Sequence, residues 1–322
     1  MTNEVPNQLR ARARAGDLTA MTALAKRLLV GDGVPQSVAE GVAMLAESAK
    51  RGDADANALL AVLSAWGVIA ARDLNGALDQ LARAAGLGHA VARRELQLLA
   101  RSAGQDWSAL RRDINVTALT AAPAVRVVSE RPHIVVVEGF ASVAECEWLM
   151  ERGGPHLRRA KVYHGSSDLK TSEDRTNTEA DFTIFNADVT LSLIRDRMAA
   201  VARAPTTHFE ITKILRYEPG QHFGLHADFL ELNTPELVRE MELRGQRAAT
   251  LLVYLNEDYE GGETHFPRVD FRYRGKRGDA LLFSNIDAAG APDYATLHAG
   301  MPPTRGQKWI LSQWMRTKPV TG

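Results

Sequence analysis

The sequence predicts an α+β protein in two parts: an N-terminal stack of paired helices, then a β-sandwich or barrel with helices on one flank. Three observations carry that reading. Residues 1 to 110 hold 26 alanines and neither Phe nor Tyr, whereas all 9 Phe and all 6 Tyr stand at or after Phe140, so two different kinds of core are joined. Glycines at 16, 52 and 88 mark a step of 36 residues, the signature of a stacked repeat. From Pro132 onward, short apolar runs alternate with turn residues at the spacing of an all-β domain. The expected divisions are a helical repeat domain over 1–110, a linker or first edge segment over 111–131 and a β domain over 132–322.

A chain of 322 residues fits about two domains. Lys plus Arg number 39 and Asp plus Glu 39, and residues 1 to 110 alone carry 12 basic and 11 acidic residues, so neither half is polarised. That balance argues against a protein built for nucleic-acid or membrane-surface binding, which needs an excess of cations. Cys146 stands alone and has no internal disulfide partner. The N-terminus shows no basic stretch followed by an apolar run, and no stretch approaches 18 apolar residues. A cytoplasmic protein without nucleic-acid or membrane partners is therefore expected.

Within the repeat, Ala15-Gly16-Asp17, Arg51-Gly52-Asp53 and Leu87-Gly88-His89 align, as do Ala20/Ala56/Ala92 and Leu24/Leu60/Leu96. Leu24 and Leu28, and Val42, Leu45, Ala46 and Ala49, recur at helical spacing, while Gly31-Asp32-Gly33-Val34-Pro35 punctuates them. Each unit reads as two antiparallel helices whose small residues allow close packing, in a solenoid of about two and a half units. Residues 15 to 102 resemble the Sel-one-like branch of the tetratricopeptide family, which implies a concave surface for a protein partner. The alternative is that the repeats only prop up the second domain.

In the second part, His133-Ile-Val-Val-Val-Glu138 reads as a buried strand, and Ser142-Val-Ala-Glu145 matches a capping box that opens a helix. A second helix is expected from Asp188, with Leu191, Ile194, Met198 and Val201 on one face. Strands are expected over 209–218, 221–230, 248–255, 263–266, 269–274, 279–284, 294–299 and 307–316.

The chemistry gathers on four residues. His226 and Asp228 alternate onto one face of the segment 221–230, about 6 to 7 Å apart along a strand. His298 follows on another strand. Two imidazoles and one carboxylate leave open positions on a metal, the arrangement associated with non-haem Fe(II) oxygenases, although the same ligands also suit zinc. Lys308, ten residues on across the turn 301–306, can sit on an adjacent strand of the same sheet beside the metal. There it would bind the distal carboxylate of a 2-oxo diacid. It shares a strand face with Ile310, Ser312 and Trp314, which argues against a surface lysine. His222 reads as a second-layer or surface residue and His265 as a strand residue. Cys146 reads as a buried small hydrophobe, and 231–247 as a polar, helix-prone insertion that could form a lid.

Pro132 to Arg316 resembles the catalytic domain of the prolyl 4-hydroxylase family of Fe(II)- and 2-oxoglutarate-dependent dioxygenases. The matching motifs are LRYEPGQHFGLHAD (215–228), ATLLVYLNEDYEGGETHFP (249–267), GDALLFSN (278–285) and LHAGMPPTRGQKWILSQW (297–314). The resemblance implies a double-stranded β-helix, or jelly roll. It implies His226, Asp228 and His298 as catalytic iron ligands, Lys308 and Tyr217 as partners of 2-oxoglutarate, and Arg175 near the peptide groove. It further implies O2 as oxidant, ascorbate as reductant, and hydroxylation rather than halogenation, because Asp228 stands where Gly or Ala would open a halide site. Asn177 replaces the usual serine after Arg175-Thr176, and Gln313 the usual Asn before the final Trp; both departures bear on substrate identity. The leading function is hydroxylation of a protein or peptide residue, proline by resemblance, with the repeats recruiting the partner. The alternatives are a hydroxylase of a free amino acid or small metabolite, and a catalytically silent interaction protein.

Overall fold

The computed structural model describes residues 6–68, 70–161 and 172–320. The chain divides into two compact units, one running to Ala118 and including Ala187–Leu193, the other comprising Leu119–Asn186 and Ile194 onward.

The first unit is helical: α1 (Pro6–Arg14), α2 (Leu18–Val30), α3 (Val38–Lys50), α4 (Ala54–Trp66), α5 (Leu74–Gly86), α6 (Ala90–Ala100), α7 (Trp107–Asp113) and the start of α8 (Val116–Thr120). The 36-residue period is physical. Gly16, Gly52 and Gly88 all hold φ near +90° (88°, 94° and 100°), a left-handed turn that a side chain would strain. The next residue then caps the following helix, with Asp17, Asp53 and His89 accepting from the backbone N–H of Ala20, Ala56 and Ala92. Those three alanines, with Leu24, Leu60 and Leu96, are buried.

Residues 111–131 are not an unstructured connection. They contain the end of α7, the helix α8 and the edge strand β1 (Arg126–Glu130). The remaining strands are β2 (His133–Val137), β3 (Arg158–Arg159), β4 (Thr178–Asp181), β5 (Lys213–Tyr217), β6 (Phe223–His226), β7 (Arg247–Tyr254), β8 (Glu260–Gly261), β9 (Thr264–Phe266), β10 (Phe271–Tyr273), β11 (Ala280–Ser284), β12 (His298–Gly300), β13 (Pro303–Arg305) and β14 (Lys308–Arg316). An eight-stranded sheet runs β1-β2-β11-β7-β14-β5-β4-β3, a four-stranded sheet runs β10-β9-β12-β6, and β13 pairs with β8. Side chains alternate across each strand, so one face of the large sheet (Ile134, Val136, Leu215, Leu252, Leu281, Ile310) meets Phe266 and the partly buried Phe223 and Phe271 of the small one. This is the jelly-roll sandwich the sequence implies.

Two helices meet the opposite face of the large sheet, at Ile214 and Gln313. Helix α9 (Val143–Gly153) opens with the expected capping box of Ser142 and Glu145, and its Gly153 leaves no room for a Cβ against Ile214 of β5. Helix α10 (Val189–Ala202) is the one expected from Asp188, whose carboxylate accepts from Leu191 N–H. Helix α11 (Pro235–Arg244) fills the predicted insertion, and Glu240 on it pairs with buried Arg316 at 2.8 Å.

Candidate active site

Two strands distant in sequence bring the cluster together. β6 ends at His226, β12 begins at His298, and the two histidines face each other as direct partners in the antiparallel register. Asp228 differs from expectation: it lies in a bend beyond β6, not within a strand continuing to 230. The bend turns the carboxylate inward, placing Oδ1 3.5 Å from His226 Nε2 and Oδ2 3.7 Å from His298 Nε2. All three ligand atoms fall within 4.8 Å of one another.

The surroundings prepare these groups for a cation. His226 Nδ1 lies 2.9 Å from Gly224 O and His298 Nδ1 3.0 Å from Thr296 O. A carbonyl only accepts, so each Nδ1 carries the proton and each Nε2 keeps its lone pair for the cluster. Burial and the neighbouring His226 push His298 down to about 4, so it is neutral at physiological pH. Burial opposes the charge on Asp228, and with both Nε2 atoms unprotonated the donor that favours its carboxylate is the Thr250 hydroxyl, at 2.6 Å. Two neutral imidazole nitrogens and one buried carboxylate oxygen are a donor set that fits Fe(II).

Lys308 reaches the same cavity from the other side. It does not share a sheet with His298: β12 belongs to the four-stranded sheet and β14 to the eight-stranded one. The connection 301–306 is not a simple hairpin, because Pro303–Arg305 forms β13 against β8 and carries the chain across to the opposite sheet. The face reading holds, since Lys308, Ile310, Ser312 and Trp314 all line the cavity together with Tyr217, Arg175 and the three clustered residues. Lys308 is 1% exposed, with Nζ 5.1 Å from the Tyr217 ring centre and 5.8 Å from that of Tyr254. Among the described residues no carboxylate pairs with it. Burial pushes its ammonium down to about 7, and raises the Tyr217 phenol to about 12.

Arg175 also lines the cavity, but its guanidinium is engaged, donating to Glu179 at 2.8 Å and to Asn177 at 3.3 Å. It lies over Phe223 at 4.5 Å, and the other partner of that ring is His226, stacked at 3.6 Å. His222 contacts Thr176 and His265 sits in β9, both outside the cluster. None of the cavity-lining residues comes from 231–247. Sequence reasoning missed Phe223, and it missed Thr250 and Asn285, which lie behind Asp228. The signal for the latter pair was a polar residue inside or closing an apolar strand, in Ala-Thr-Leu-Leu-Val and Leu-Leu-Phe-Ser-Asn.

A model of the 2OG-Fe(II) oxygenase superfamily matches residues 212–316. Prolyl 4-hydroxylase 1 of Arabidopsis thaliana is 35% identical over 213 residues, spanning 60% of this chain and 71% of that protein. The chain belongs to the prolyl 4-hydroxylase family. It is a 2-oxoglutarate-dependent hydroxylase that uses Fe(II) and O2. Among solved structures, the viral collagen prolyl hydroxylase of Paramecium Bursaria Chlorella virus-1 is 26% identical, covering 56% of this chain and 94% of that one, with a TM-score of 0.42. A Sel1 repeat protein from Oxalobacter formigenes is 29% identical over 29% of this chain and 71% of that one, with a TM-score of 0.28.

The two departures from the family pattern now have structural explanations. Gln313 is fully buried on the face of β14 turned away from the cavity. Its Oε1 accepts from Arg195 and Thr212, and its Nε2 donates to the carbonyls of Glu210 and Trp314. Asn177, likewise buried, orients Arg175.

Proposed function

We propose that this hydroxylase acts on prolyl residues of a protein or peptide, with His226, Asp228 and His298 holding Fe(II) and Lys308 and Tyr217 holding the distal carboxylate of 2-oxoglutarate. Bound iron supplies the oxidative chemistry, in which a C–H bond becomes C–OH while 2-oxoglutarate and O2 give succinate and CO2. The chain's own residues do the rest. The Lys308 ammonium neutralises the incoming carboxylate, and Tyr217, kept protonated by burial, offers its O–H to the same group. Leu215, Leu252 and Ile310 wall the cavity and exclude water. Arg175, held by Glu179, Asn177 and the Lys161 carbonyl, lines the cavity on the side proposed for the peptide. Ascorbate is the proposed reductant that keeps the iron in its working state.

The single observation that carries this reading is a fully buried lysine, with no carboxylate partner among the described residues, facing the cavity that holds the His-Asp-His cluster. Proline as the target is supported by the curated relative at 35% identity. Incubating the purified chain with Fe(II), 2-oxoglutarate, O2 and proline-containing peptides should yield succinate and a peptide heavier by one oxygen, located on proline. Oxygen found only on another residue type would contradict the substrate assignment.

We propose also that the repeats recruit the protein carrying that proline, as solenoids commonly do. A whole protein substrate should then show a higher kcat/KM than a peptide excised from it. Equal values would contradict recruitment.

A further inference from the structure

Asp228 has two oxygens, and the structure treats them differently. Oδ2 accepts a short hydrogen bond from the Thr250 hydroxyl, at 2.6 Å. The same hydroxyl oxygen accepts from Asn285 Nδ2 at 2.9 Å. A threonine hydroxyl has one proton and can point it either way, but an amide N–H can only donate. With the amide feeding one lone pair, the hydroxyl proton is committed to Asp228. The relay therefore has a fixed direction, from Asn285 through Thr250 to Asp228 Oδ2.

The relay is also rigid. Thr250 is 1% exposed, in the middle of the eight-stranded sheet on β7, and Asn285 is fully buried where β11 ends. The Asn285 backbone is pinned on both sides, its N–H donating to Ala248 O at 2.8 Å and its carbonyl accepting from Asp293 N–H at 3.0 Å. Both carboxylate oxygens border the cluster, Oδ1 3.5 Å from His226 Nε2 and Oδ2 3.7 Å from His298 Nε2, and what distinguishes them is the Thr250 hydrogen bond that Oδ2 alone accepts. Neither Thr250 nor Asn285 lines the cavity, so neither touches substrate.

From this asymmetry we infer that Thr250, polarised by Asn285, is a positioning residue that reserves Oδ2 of Asp228 and leaves Oδ1 as the oxygen offered to the metal. The inference rests on the reading of Asp228 as an iron ligand. A carboxylate without this tether can rotate and present either or both oxygens, which weakens a site built for one and takes up a position the cosubstrate and O2 require. Partners of this kind behind a metal ligand change metal affinity by about 10- to 100-fold when removed.

The test uses the full chain and reads metal affinity, by anaerobic Fe(II) titration against a chromophoric chelator and by visible absorption of the Co(II) form. Thr250→Val keeps the volume and deletes the hydroxyl; it should weaken Fe(II) binding by about 10- to 100-fold and alter the Co(II) spectrum. Thr250→Ser restores the hydroxyl and should return both to near the parent values, which a packing role for the threonine methyl would not do. Should Thr250→Val prove insoluble, Asn285→Ala gives the same reading, with a smaller loss in the same direction. Parent-like affinity and spectrum in Thr250→Val, or failure of Thr250→Ser to rescue, would overturn the inference. Asp228→Ala separates this from the underlying reading: if it binds Fe(II) as the parent does, Asp228 is not a ligand at all.

Discussion

Lys308 and Tyr217 face each other as direct register partners on the antiparallel strands β14 and β5, and the ammonium lies 5.1 Å from the phenol ring centre. One cross-strand pair thus delivers a cation and a hydroxyl donor to the same depth of the cavity. Among the described residues no carboxylate pairs with Lys308, and the more distant charge of Glu263 offsets its desolvation only in part, so the buried cation is costly to the fold.

That cost separates binding from stability in one variant. Lys308→Met removes a charge-assisted contact of about 1.5–3 kcal/mol, so 2-oxoglutarate affinity should fall roughly ten- to hundred-fold, with Fe(II) affinity little changed. The same variant without ligand should be more stable, by about the 1–4 kcal/mol seen when buried ion pairs are replaced by apolar residues. Calorimetric titration and thermal melting read the two effects. Loss of iron affinity with cosubstrate affinity intact would contradict the assignment.

The pH dependence follows from the same group. In the folded protein Lys308 titrates at about 7, below its ordinary 10.5. Between those values the unfolded chain binds the additional proton, so this residue's contribution to stability rises as pH increases from 7 towards 10.5. Cosubstrate binding has the opposite sense, since it requires the ammonium. The 2-oxoglutarate Kd should rise about tenfold per pH unit above 7, and binding near pH 8 should take up a proton. Calorimetry in two buffers of different ionisation enthalpy measures that proton; no uptake, together with a flat Kd between pH 7 and 9, contradicts it.

Gln313 gives a prediction of the other kind. Its side chain makes four hydrogen bonds to Arg195, Thr212 and two backbone carbonyls, all away from the cavity. Gln313→Leu strands buried polar partners and should destabilise the fold by about 1–3 kcal/mol. Gln313→Asn, one methylene short, should lose part of the same energy. Peptide preference in the Asn variant should stay as in the parent; a changed preference at unchanged stability would contradict the structural role.

Much of this was legible in the sequence because the signals were local. The glycine at each 36-residue step requires a left-handed backbone, and period-two alternation put Lys308, Ile310, Ser312 and Trp314 on one face. The cluster His226, Asp228 and His298 was named from its residue types and family motifs, and the register pairing of the two histidines joins it. What stayed hidden was non-local or broke a period. The bend at Asp228 interrupts the alternation that described His226. The crossing of β13 to β8 sends Lys308 to the opposite sheet, a choice set by pairing partners and not by the turn sequence. Thr250 and Asn285 meet across 35 residues, and an isolated polar residue in an apolar strand does not say which buried group it serves.

One cavity is proposed to hold Fe(II) on the His-Asp-His side and 2-oxoglutarate on the Lys308 side. That arrangement is tested most directly by succinate formation from the purified full chain with Fe(II), 2-oxoglutarate and O2, in the parent and in His298→Ala and Lys308→Met. Turnover is expected in the parent, none in His298→Ala at any cosubstrate concentration, and recovery in Lys308→Met when 2-oxoglutarate is raised by the ten- to hundred-fold lost in affinity. Iron-dependent turnover that survives in His298→Ala, or a loss in Lys308→Met that added cosubstrate leaves unchanged, would contradict it.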